Sequence, residues 1–134
     1  MRLFDEPVSP RQLSPLTLAF VGDAVYELLV REFLACEANR PVHELNRRST
    51  EVVRAGAQAQ ALKKIAPLLS EEEQAVVRRG RNAHPNHSAK NASVTDYRLA
   101  TGLEALFGYL YLSDRTERIR ELFDQINGPT AAAP

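Results

Sequence analysis

Residues 18–30 read LAFVGDAVYELLV, an apolar run with a single aspartate, Asp23, at its centre and a glycine, Gly22, beside it. Its hydrophobic residues, Leu18, Val21, Val25, Leu28 and Leu29, recur at the spacing of one helix face. Ser14 followed by Pro15 supplies an N-cap and a first helical residue, since the serine oxygen can take an orphan backbone N–H and proline lacks one. The helix is therefore expected to run to about Cys36, where Asn39, Arg40 and Pro41 break it. A second apolar run, LATGLEALFGYLYL at 99–112, again holds one acid, Glu104, between glycines Gly102 and Gly108. Ser93 and Asp96 open this helix, and it is expected to be a core helix through Val94, Tyr97, Ala100, Leu103, Phe107 and Leu110.

Between and beyond these runs the pattern stays helical. Residues 42–69 read as a helix in two pieces with a basic side of Arg47, Arg48, Arg54, Lys63 and Lys64. Ser70 with Glu73 marks a capping box for a third stretch ending near Gly80. RNAHPNHSAKNAS at 81–93 has no periodicity and reads as an exposed loop. Ser113 restarts an amphipathic helix that stops at Asn127, Gly128 and Pro129. Strand-like alternation is nowhere sustained, so the expected class is all-α. The expected organisation is one helical domain over 14–127, an N-terminal extension over 1–13 and a disordered tail over 128–134.

A chain of 134 residues with 44% hydrophobic and 7% aromatic content suits a compact helical domain. No apolar run reaches membrane-spanning length, and MRLFDEPVSP at residues 1–10 lacks the plan of a signal peptide. A cytoplasmic address with no membrane partner is expected. The lone Cys36 excludes an internal disulfide and a cysteine zinc cluster and is expected to be a core thiol. Net charge is zero, yet residues 40–64 hold six basic against two acidic side chains and 78–98 five against one. Such blocks serve either as phosphate-binding surface or as solvated helix faces.

Asp23 and Glu104 are the chemically informative acids. Aspartate is a poor residue inside a helix, and burying its charge is costly unless a cation or several donors compensate. The adjacent glycines, each about 1 kcal/mol worse than alanine in a helix interior, imply close helix approach that would bring the two carboxylates together. Two carboxylates on facing helices suffice to hold a hard divalent ion beside a phosphate; the alternatives are pairing with arginines, or a Glu104 that faces solvent. Glu27, one turn after Asp23, reads as an exposed neighbour. A second constellation, VVRRGRNAHPNHSAKN at 76–91, offers Arg78, Arg79, Arg81, Asn82, Lys90 and Asn91 as phosphate-binding donors. His84 and His87 lack a third ligand for a metal site, and Tyr97, Tyr109 and Tyr111 suit core or interface better than base stacking.

These two runs resemble the two metal-binding helices of the ribonuclease III family. The signature aspartate falls on Asp23 and the second helix's glutamate on Glu104. The family's other two acids are replaced by Ala19 and Thr101, a departure that, with RRGRNA at 78–83, is similar to the Mini-III branch of that family. The resemblance implies a ribonuclease III endonuclease-domain fold and a homodimer that accepts double-stranded RNA in one groove. Asp23 and Glu104 would be its catalytic and metal-binding residues, and magnesium, or manganese in its place, its cofactor. It implies 5′-phosphate and 3′-hydroxyl ends, precursor 23S ribosomal RNA as substrate with a ribosomal protein on it as a further candidate partner, and the 81–92 loop as the seat of any sequence preference. The rivals are a non-catalytic double-stranded RNA-binding relative that kept the groove and lost hydrolysis, and an all-helical protein-interaction module.

Overall fold

The computed structural model describes residues 1–83 and 93–127, with no strand among them. The main elements are α1 (Pro15–Glu37), α2 (Val42–Val53), α3 (Ala55–Ile65), α4 (Glu71–Asn82), α5 (Val94–Leu112) and α6 (Thr116–Asn127). The expected tail at 128–134 and most of the expected loop lie outside the described residues.

Local chemistry sets the helix starts. Ser14 Oγ accepts from Thr17 N at 3.1 Å, Ser93 Oγ from Asp96 N at 3.0 Å, and Ser70 with Glu73 forms the reciprocal capping box. The 42–69 span is split where Arg54 turns extended, with φ −65 and ψ 157. Two boundaries differ from expectation: Ser113 does not start the last helix but caps the end of α5, with α6 beginning at Thr116, and α4 does not stop at Gly80 but runs on to Asn82. Gly80 is a packing residue instead, since a Cβ there would lie 3.0 Å from Gly102 Cα on α5.

α5 is the axis of the fold. From Ala100 to Leu110 every residue is buried except Glu104. Tyr26 of α1 meets Phe107 of α5 edge-on with ring centroids 5.2 Å apart, and Phe123 of α6 at 6.0 Å. Leu103, Leu106 and Leu110 are fully enclosed, and burial of each contributes about 1.5–3 kcal/mol. The buried Glu73 is gripped by Arg118 through two bonds of 2.8 and 2.9 Å, tying α4 to α6 and holding the Glu73 carboxyl below its usual range.

Two expectations for α1 are corrected. Leu28 is 64% exposed, because the buried stripe runs through Leu18, Gly22, Tyr26, Val30 and Leu34 and leaves position 28 on the opposite side. Cys36 is exposed rather than a core thiol. It lies two residues beyond Leu34, the last buried position of the stripe, and so points off the core.

Candidate active site

The contact between α1 and α5 is made by backbone. A Cβ on Gly22 would sit 1.6 Å from Glu104 O, and one on Gly108 2.0 Å from Leu18 O. Only glycine permits this approach, and it sets Asp23, the next residue along α1, against Glu104. Gly102 has a different role from the one its spacing suggested. It faces α4, where its Cβ would lie 3.0 Å from Val77 O, so Gly22 and Gly108 make the crossing while Gly80 and Gly102 seat α4.

The structure brings the two acids together but not equally buried. Asp23 is exposed at the rim, whereas Glu104 is half-buried; the expectation of two costly mid-helix charges holds for Glu104 alone. Burial, then the neighbouring Asp23 charge and a hydrogen bond with Asp23, push the Glu104 carboxyl up to about 8. A hydrogen bond from Gln58 opposes that rise. Among the described residues no cation acts on Glu104, so pairing with one of their arginines does not describe it.

Gln58 is the residue that sequence reasoning missed. It is 2% exposed, its Nε2 donates to Val53 O at 2.9 Å, and its Oε1 has no hydrogen-bond partner among the described residues. A signal was present: Gln58 shares the apolar stripe of α3 with Leu62 and Ile65, where a polar side chain calls for an explanation. Where the four-acid pattern would have its other carboxylates, Ala19 and Thr101 are 7% and 6% exposed. Thr101 Oγ1 turns back to Tyr97 O at 3.0 Å.

No group of three or more His, Cys, Asp or Glu suited to a metal ion occurs among the described residues. The donor set fits a hard divalent ion nonetheless: two adjacent carboxylates that repel without a cation, beside a buried amide oxygen in need of a donor. An ion so held keeps most of its water, the habit of magnesium.

The basic residues sort by partner. Arg78, Arg81 and Asn82 are exposed at the end of α4, and Arg78 and Arg81 join Lys63 of α3 in lining a cleft of about 300 Å³. Arg79 donates from Nη2 to Leu13 O at 3.3 Å, anchoring the N-terminal segment. Arg47 and Arg48 are engaged by Glu44 at 2.7 and 2.8 Å, and their hydrogen bonds pull Glu44 down to about 2. This part of the expected basic face is neutralised within α2. Lys64 Nζ donates to Ile126 O at 2.8 Å. His84, His87, Lys90 and Asn91 lie outside the described residues. Tyr109 is 3% exposed and donates to Glu72, while Tyr97 and Tyr111 are half-buried; the three tyrosines are not a base-stacking platform.

Comparison with known proteins gives the same reading of the fold. The Ribonuclease III domain family matches residues 16–115. A Mini-ribonuclease 3 of Thermoanaerobacter sp. (strain X514) is 49% identical over 112 residues, covering 84% of this chain and 79% of its own. That of Brevibacillus brevis is 48% identical over 116 residues, covering 87% of each. The crystal structure of a Fusobacterium nucleatum protein superposes with a TM-score of 0.80 at 32% identity, covering 87% of this chain and 95% of its own. The paired acids on a glycine-mediated helix crossing thus occur in a chain that belongs to the ribonuclease III family, within its Mini-ribonuclease 3 branch.

Proposed function

We propose that this ribonuclease is a magnesium-dependent endoribonuclease that cleaves double-stranded RNA and trims precursor 23S ribosomal RNA in the cytoplasm. The observation that carries the reading is the pairing of Asp23 with a half-buried Glu104 that no cation among the described residues neutralises. The two carboxylates would hold the ion, and its positive charge would favour the ionised form of Glu104. Magnesium, or manganese in its place, supplies Lewis acidity to the phosphodiester and to water. Arg78, Arg81 and Lys63 hold backbone phosphates, with Arg79, Asn82, Lys90 and Asn91 completing the proposed RNA surface. Phosphate contacts of this kind position a duplex without reading its sequence.

The active form is a homodimer, cutting one strand at each of two sites and leaving 5′-phosphate and 3′-hydroxyl ends. An exposed apolar edge on the first turns of α1 supports it: Phe20 is 81% and Leu16 43% exposed, next to Ala19 and close to Asp23 in the helix. Exposed aromatic side chains of this size suit a protein contact.

The test is cleavage of a perfect RNA duplex and of its separate strands across a magnesium titration, by the wild type and by Asp23→Asn and Glu104→Gln. The expected result is duplex-specific cutting by the wild type and none by either variant, with RNA binding retained. Near-normal turnover by either variant would sink the site. Duplex binding with no cleavage at any magnesium concentration would favour a non-catalytic relative. End-mapping of large-subunit ribosomal RNA precursors in cells lacking the protein tests the substrate.

A further inference from the structure

We propose that Gln58 is a positioning residue of this site: its Nε2 steadies the Glu104 carboxylate, and its Oε1 accepts a hydrogen bond from a water in the shell of the ion that Asp23 and Glu104 hold. The proposal rests on the metal-binding reading given above.

The amide orientation is dictated by its neighbours. Val53 O accepts from Nε2, and Gln58 lowers the Glu104 carboxyl, as a donor to the ionised form does, so the NH₂ group serves both. Oε1, bonded to the same carbon, is therefore left over beside the carboxylate and has no partner among the described residues. A buried acceptor without a donor is destabilising. A leucine would complete the α3 stripe of Ala61, Leu62 and Ile65 without leaving one. What the glutamine offers that leucine cannot is an acceptor at the edge of the acid pair. With two carboxylates, a six-coordinate ion retains several waters, and waters on a divalent cation are strong donors. Gln58 thus offers an acceptor to such a donor, from a helix that contributes no acid to the site.

The experiment measures manganese(II) binding to the RNA-free protein by electron paramagnetic resonance, with thermal melts in chelator and cleavage kinetics alongside. Variants are Gln58→Leu, Gln58→Glu and Asp23→Asn. Loss of one charge-assisted hydrogen bond predicts that Gln58→Leu binds manganese about tenfold more weakly. Its half-maximal magnesium concentration should rise by a similar factor, with KM for duplex unchanged at saturating magnesium. Its metal-free melting temperature should not fall in step, because the orphan oxygen is gone. Gln58→Glu keeps an acceptor and adds charge, so it should bind manganese at least as tightly as the wild type. A purely structural glutamine would move the melt and leave the affinity alone. Wild-type affinity in a folded Gln58→Leu, while Asp23→Asn has lost binding, overturns this proposal and leaves the metal reading standing. If Gln58→Leu does not fold, Gln58→Glu decides, and weaker binding than wild type overturns the proposal. Wild-type affinity in Asp23→Asn overturns the metal reading itself.

Discussion

Replacing Glu104 by glutamine should make the metal-free protein more stable at neutral pH and abolish its stabilisation by magnesium. The folded carboxyl titrates at about 8 against 4.5 when unperturbed, with burial the first cause and Asp23 the second. Between those values the folded chain holds a proton that the unfolded chain has released. Stability from this group is therefore greatest below about pH 4.5, declines as pH rises, and levels off above about 8. Each pH unit in that window is worth about 1.4 kcal/mol, which puts a ceiling of roughly 3 kcal/mol on the deficit at pH 7. Asp23 is exposed, so solvent screening reduces its share, and about 1–3 kcal/mol is expected. Glutamine keeps the size and cannot ionise, so Glu104→Gln should melt about 4–10 °C higher than wild type at pH 7 in chelator. The difference should vanish near pH 4.5. With magnesium the order should narrow or reverse, because only the wild type gains binding energy from the ion. The assay is a set of thermal melts from pH 4.5 to 8.5 with chelator and with magnesium. A wild-type-minus-variant difference that is flat with pH would refute the account of Glu104 as a buried, cation-seeking acid.

Gly22→Ala should destabilise by about 3 kcal/mol or more, enough to cost soluble folded protein, since its Cβ would lie 1.6 Å from Glu104 O. Gly56→Ala, whose Cβ would meet only side-chain ends, Arg54 Nη1 at 3.0 Å and Asp96 Oδ2 at 3.7 Å, should be neutral or stabilising by up to about 1 kcal/mol; equal melts for the two would contradict the backbone contact. Alanine at Lys63, Arg78 and Arg81 together should weaken duplex binding and lower the slope of log affinity against log salt by roughly one per lost phosphate contact. An unchanged slope would mean that the 300 Å³ cleft does not meet RNA. Ala19→Glu with Thr101→Asp should lower the magnesium concentration for half-maximal cleavage by adding oxygen ligands. The same pair should reduce metal-free stability, because both positions are buried. A folded double variant with an unchanged magnesium requirement would show that neither position faces the ion.

Much of the fold was legible because the relevant physics is local. Ser14, Ser70 and Ser93 cap helices through bonds to residues three positions on, and Arg54 divides the 42–69 span. Two of the chemically important residues were legible too, as acids stranded in the apolar runs 18–30 and 99–112. The neutralisation of Arg47 and Arg48 by Glu44 is a local effect of three- and four-residue spacings and could have been read in advance. The exposure of Cys36 could also have been read, by following the stripe that ends at Leu34.

What periodicity could not tell is which face meets which helix. Gly22, Gly80, Gly102 and Gly108 look alike along the chain, yet only the packed structure assigns one pair to the α1 contact and the other to α4. The same holds for the site. Asp23 stays at the rim while Glu104 is desolvated, and Gln58, on a third helix, ends with its amide donating to Val53 O, lowering the Glu104 carboxyl, and with an oxygen left over among the described residues. Sequence alone determined the helices and the presence of two acids, because caps and periodicity act between near neighbours. Tertiary structure decided the acids' unequal burial, their mutual repulsion and the amide beside them, because desolvation and charge coupling depend on distances between residues far apart in the chain.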